Sequence, residues 1–159
     1  MIVVSDTSAL SNLLIIGRLD LLKKIFGHVI VPGAVAAELD VIDRHRREIL
    51  EQEWISVVKI SDKDLFNSIL EKLDAGEAEA ITLSIELSSD FLLIDELAGR
   101  LVARERGIKI IGVAGILVEA KRLGLIDLVK PEIEKLLTVA RFRLSSQLVA
   151  EILDSVGEK

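Results

Sequence analysis

The chain contains no cysteine, which excludes a disulfide framework, a thiolate nucleophile and sulfur ligation of a metal. Histidine is almost as scarce. His28 and His45 are the only two, and they do not stand in a paired ligand spacing, so a zinc site lacks donors. Tyrosine is absent, and one tryptophan accompanies four phenylalanines; base stacking, the usual basis of single-strand binding modules, has little to work with. No glycine-rich phosphate loop of either common type occurs, which removes support for nucleoside triphosphates and dinucleotides. No uninterrupted apolar stretch is long enough to span a bilayer, and the start lacks the pattern of a secretory leader. The expectation is a soluble cytoplasmic protein with no membrane association. The net charge of −6 counts against a protein that grips nucleic acid by electrostatics alone. It counts less against a metal-dependent nuclease, whose clustered carboxylates are partly neutralised by an ion.

Half of the 159 residues are apolar, mostly Ile, Leu and Val, enough to bury a sizeable core. One domain over residues 1–159 is the simplest reading. Ile2 to Val4, His28 to Val31, Trp54 to Ile60, Phe91 to Ile94 and Lys109 to Ile111 read as short strands. The third has the pattern of a half-buried or edge strand. Helix-period segments lie between and after them: from Ala9, Leu19 to Phe26, Ala34 to Leu50, Ser61-Asp62 to Leu73, Glu77 to Leu87, Leu97 to Arg106 and Val113 to Leu123. Two more follow, Pro131 to Val139 and Ser145 to Val156. Strands alternating with helices predict a three-layer α/β/α sandwich around a mostly parallel sheet.

Acids recur at the ends of these elements. Asp6 follows the first strand and Asp95 the Phe91–Ile94 strand, and open α/β sheets bind ligands at that edge. Glu38 lies in the first turns of the helix after Pro32, and Glu77 opens the helix after Gly76, a glycine expected to separate it from the helix ending near Leu73. Hard oxygen donors suit Mg²⁺ or Mn²⁺, and four like charges brought together without a cation would repel. The alternative is that Asp6 and Asp95 only cap helices, an ordinary role for a short acid, while Glu38 and Glu77 are solvated.

Four segments, Val4-Ser-Asp-Thr-Ser-Ala-Leu10, Val31-Pro-Gly-Ala-Val-Ala-Ala-Glu-Leu39, Leu73-Asp-Ala-Gly-Glu-Ala-Glu-Ala-Ile81 and Leu92-Leu-Ile-Asp-Glu-Leu-Ala-Gly-Arg100, resemble the successive motifs of the PIN-domain family. Gly112-Val-Ala-Gly-Ile-Leu117 and Phe142-Arg-Leu-Ser-Ser146 resemble a prokaryotic branch of it, related to the VapC-type toxins. The resemblance implies Mg²⁺- or Mn²⁺-dependent cleavage of single-stranded RNA, with Asp6, Glu38, Glu77 and Asp95 as the acidic pocket. It implies that Thr7 or Ser8 hydrogen-bonds a carboxylate or phosphate, and that either Glu77 or Glu79 faces the metal. It also raises a small antitoxin protein as partner. Two positions depart from the family pattern: Glu96 stands where a second aspartate is frequent, and Val113 where a hydroxyl residue often follows the glycine. A catalytically silent interaction module is the competing class, and Val113 keeps it open.

Other features weigh less. Arg44-His45-Arg46-Arg47 reads as a solvated helix end, and His28 as structural. Arg100, one turn beyond Glu96, is a candidate for phosphate or for a pocket carboxylate. A haloacid-dehalogenase-type phosphatase would need an acid two residues after Asp6, where Ser8 stands. A homodimer is the default assembly.

Overall fold

The computed structural model describes residues 1–159. The β-branched runs form five strands, β1 (Val3–Ser5), β2 (Val29–Pro32), β3 (Ile55–Val58), β4 (Phe91–Leu93) and β5 (Ile110–Ile111). They pair in the order β3-β2-β1-β4-β5, and every pairing is parallel. Parallel neighbours require crossovers, and helices supply them. In chain order these are α1 (Thr7–Ile15), α2 (Asp20–Phe26), α3 (Gly33–Ile42), α4 (Arg44–Ile49), α5 (Lys63–Leu70), α6 (Ala75–Leu87), α7 (Leu97–Glu105) and α8 (Val113–Arg122). Two further helices, α9 (Lys130–Thr138) and α10 (Ser146–Ser155), complete the chain.

Side-chain alternation along the strands divides the interior into two cores. Val3 and Leu93 face one, with Leu10, Leu39, Leu117 and Leu136 from α1, α3, α8 and α9. Val4 and Leu92 face the other, with Ile69, Ile81 and Val102 from α5, α6 and α7. The layers are therefore helix, sheet, helix. No helix is long and apolar enough to cross a membrane.

The chain winds outward from β1 through β2 to β3, then returns to the other side of β1 with β4 and β5. Where strand order reverses, neighbouring connections leave in opposite directions and a crevice opens at the carboxyl ends of the strands. Asp6 is the residue after β1, and Asp95 lies two residues after β4. The Asp6 N–H donates to the Leu93 carbonyl at 3.1 Å, so the sheet ladder itself fixes the backbone of Asp6.

Two boundaries differ from the sequence reading. The segment Ala34–Leu50, expected as one helix, is two: Asp43 is extended (φ −167°, ψ 177°) and its carboxylate accepts from the Arg46 N–H at 2.8 Å, restarting the helix as α4. Val41 and Ile42 are exposed there, so no core burial favours straight continuation over a capped restart. Gly76 does not separate helices but lies buried in the first turn of α6. The sheet bears out the parallel arrangement expected, in every pairing, with β3 at its edge as the pattern of Trp54–Ile60 suggested.

Replacing Asp43 with alanine removes the α4 cap and its ion pair with Arg46. The expected result is a lower urea midpoint with an unchanged slope.

Candidate active site

Five acids, Thr7 and Ser8 approach one another at the switch point. A small recess of about 40 Å³ is lined by Asp6, Thr7, Ser8, Glu38, Asp74, Glu77 and Glu96, with no apolar side chain among them. Its walls come from the start of α1, the second turn of α3, the start of α6 and the residue before α7.

Asp6 is only 2 % exposed. Its Oδ1 accepts from the Ala9 N–H at 3.0 Å, so Asp6 does cap α1, and it does so while facing the other acids. Burial pushes its carboxyl well above the usual range; the Ala9 N–H opposes this, and the charges of Asp95, Glu77 and Glu96 push further up. Glu38 is half-buried, and its Oε2 accepts a short hydrogen bond from the Thr7 hydroxyl. Thr7 thereby ties the start of α1 to α3.

Glu77 and Glu79 take different directions from α6. The Glu77 carboxyl is raised to about 7, first by burial, then by the charges of Asp74 and Glu96, a hydrogen bond with Asp74, and Glu38. Glu79 points the other way: its Oε1 accepts from the Ala34 N–H at 3.0 Å and so caps α3. Of the two, Glu77 faces the acids.

Asp95 sits beside this recess rather than in its lining. It is half-buried, and both its oxygens accept from the Val113 N–H, at 3.1 and 3.3 Å. Burial raises its carboxyl to about 6, against the lowering effects of Val113 and Arg100 and with the help of Glu96. Arg100 donates through Nη1 to the Ile94 carbonyl at 3.2 Å. Val113, where a hydroxyl was expected to matter, is fully buried and serves Asp95 through its backbone N–H.

Some contributors were not singled out from sequence. Asp74 caps α6, accepting from the Glu77 N–H at 2.9 Å; the spacing Asp74-Ala-Gly-Glu77 is that of a capping box and could have flagged it. Two glycines make room for carboxylates. A Cβ on Gly76 would sit 2.5 Å from Glu38 Oε1, and one on Gly112 would overlap Asp95 Oδ1 and lie 2.8 Å from Arg100 Nη1. The basic run of α4 stays outside the site, with Arg44 paired to Glu48, Arg46 to Asp43 and Arg47 to Asp40. His28 is exposed at the start of β2.

The donor set is all oxygen, as Mg²⁺ or Mn²⁺ prefers, and the carboxyls raise one another's pKa as unneutralised neighbours do. The chemistry of these residues fits such an ion. As the side chains stand, no three of them form a ready metal-binding group, so an ion would have to draw the carboxylates inward.

The raised carboxyls make the metal-free protein pH-sensitive. A folded-state pKa above the unfolded value stabilises fully below the unfolded value, about 4, and that contribution is lost as pH rises through the folded one. Asp95 and Glu77 place the loss around pH 6 to 7. In EDTA the protein is expected to be less stable at pH 8 than at pH 5, with Asp95 alone accounting for about 1–2 kcal/mol over that interval. Denaturant midpoints across pH test this; a flat profile contradicts it. Gly76→Ala is expected to displace Glu38 and lower the melting temperature, because its methyl meets the carboxylate.

A family model described as a PIN domain matches residues 2–158. A search of curated proteins found no match. The matched span covers almost all of the chain, both layers of helices and the whole acid-bearing edge of the sheet. The chain belongs to the PIN-domain family, a nuclease fold.

Proposed function

We propose that this chain, read as a single domain, is a metal-dependent ribonuclease that hydrolyses phosphodiester bonds of single-stranded RNA. The observation that carries the reading is the convergence of Asp6, Glu38, Glu77 and Glu96 on a wholly polar recess at the switch point, with Asp95 electrostatically coupled to Asp6. A cluster of mutually repelling carboxyls is unfavourable unless a cation joins it.

Asp6, Glu38, Glu77 and Asp95 would hold Mg²⁺ or Mn²⁺. When bound, the ion neutralises charge at the scissile phosphate and favours ionisation of water. The chain's own residues supply the orientation. The Ala9 and Val113 N–H groups fix the Asp6 and Asp95 carboxylates, and Thr7 fixes Glu38. Glu77, placed by the Asp74-capped start of α6, completes the set. Asp74, which caps α6 at Glu77, and Glu96 add negative potential. Thr7 and Ser8 line the recess and offer hydroxyls to a phosphate oxygen. A role as the toxin of a toxin–antitoxin pair, a small antitoxin partner, a homodimeric assembly and a cytoplasmic location complete the proposal.

Incubation with unstructured RNA in Mg²⁺ or Mn²⁺ tests it. Cleavage abolished both by EDTA and by Asp6→Asn is expected; asparagine keeps the cap on α1 while removing the charge. Absence of cleavage together with absence of Mn²⁺ binding would sink the proposal and favour a silent interaction module. The two α6 glutamates are expected to separate. Glu77→Gln should weaken Mn²⁺ binding by about tenfold or more, as loss of one of few carboxylate ligands does. Glu79→Gln, whose amide oxygen still caps α3, should leave Mn²⁺ affinity within about twofold of the original.

A further inference from the structure

The acidic recess, at about 40 Å³, has room for an ion rather than for a nucleotide. A much larger cleft of about 510 Å³ opens beside it, on the far side of Asp95. Asp95 and Arg100 form its inner end, β5 and the start of α8 its floor, and the segment Phe142-Arg-Leu144 with α10 its outer wall. The volume falls within the range of about 300–1,000 Å³ typical of small-ligand sites.

The outer wall is held by an unusual turn. Arg141 takes a left-handed conformation (φ 54°), uncommon for a residue with a side chain. The Phe142 N–H then donates to the Leu136 carbonyl at 2.8 Å, tying the segment to α9. Beyond it, Phe142 and Leu144 are half-buried, whereas Arg143 is exposed, and all three line the cleft. Arg143 takes part in none of the ion pairs of the chain. Leu148, 41 % exposed, adds an apolar surface opposite the sheet.

We propose that this cleft is the RNA-binding subsite next to the scissile phosphate. It takes one nucleotide, with Arg143 on the flanking phosphate and the Phe142, Leu144 and Leu148 surface against the base. The inference rests on the ribonuclease reading and specifies where the strand runs. Three observations carry it. The cleft reaches in to Asp95, the acid beside the recess; its wall carries Arg143, an arginine outside the chain's ion pairs and so available to an anionic strand; and its apolar wall offers a face to a base without hydrogen-bond readout. The basic run on α4 cannot substitute, since its arginines are neutralised by Asp40, Asp43 and Glu48.

The test uses the full chain and a fluorescein-labelled, unstructured eight-nucleotide RNA. Binding is followed by anisotropy in EDTA, and cleavage in Mn²⁺. Arg143→Ala, a surface change, and Leu148→Asp are each expected to weaken binding about fivefold or more. Both should raise KM with kcat nearly unchanged, and Arg143→Ala should reduce the salt-dependence slope by about 0.7, the value for one lost phosphate contact on a single strand. Normal cleavage by the original protein with unaltered KM, affinity and salt slope in both variants would overturn the subsite and leave the ribonuclease reading standing. An original protein that neither binds nor cleaves the RNA would overturn both.

Discussion

Repulsion among carboxyl groups at the carboxyl edge of the sheet is the constraint around which this structure is arranged. Asp6, Glu38, Glu77 and Asp95, with Asp74 and Glu96 close by, would move apart if their backbones were free. They are not free. Asp6 is fixed by the β1–β4 ladder and the first turn of α1, and Asp95 by the start of α8. Glu38 is held by Thr7, and Glu77 is set by the Asp74-capped start of α6. Each acid thus sits at a junction that the hydrophobic cores on either side of the sheet already stabilise. The cores supply the free energy that holds like charges near one another, and burial first, then mutual repulsion, makes the carboxyls retain protons.

Helix capping and charge clustering are not alternatives here. A carboxylate that accepts an N–H at a helix start satisfies an orphan donor and gains from the helix dipole. Asp6 and Asp74 use that gain to offset part of the repulsion, and Asp95 does the same through Val113. Glu79 shows the contrasting outcome on the same helix. Two residues from Glu77, it turns to α3, caps it, and leaves the cluster. Close approach then depends on absent side chains. Gly76 lets the start of α6 meet Glu38, and Gly112 lets the start of α8 meet Asp95.

Much of this architecture was legible in the sequence, for local reasons. Runs such as Val29–Val31 and Phe91–Ile94 are short, apolar and β-branched or large, bounded by turn residues, and they became central strands. The acids at their ends could be placed at the sheet edge because a strand fixes the residue that follows it. The break at Asp43 was hidden because Asp43-Arg-His-Arg46 is compatible with a helix interior, and only the exposure of Val41 and Ile42 removes the reason to continue. Gly76 looked like a separator because its function is steric and involves Glu38, distant in sequence. The division between Glu77 and Glu79 depends on the packing of α3 against α6, which spacing along α6 does not encode. The cleft beside Asp95 was invisible for the same reason: β5, α8 and the Phe142–Leu144 segment meet only in the folded chain.

In the proposed function the clustered carboxyls, partly protonated in the free protein, exchange those protons for a divalent cation. Calorimetric titration with Mn²⁺ near pH 6.5, repeated in buffers of different ionisation enthalpy, measures that exchange directly, because ligands must lose their protons to bind. Release of about one proton or more per bound ion is expected at this pH, and less at pH 8 once Glu77 and Asp95 ionise on their own. Mn²⁺ binding without proton release at pH 6.5, or no binding at all, would contradict it.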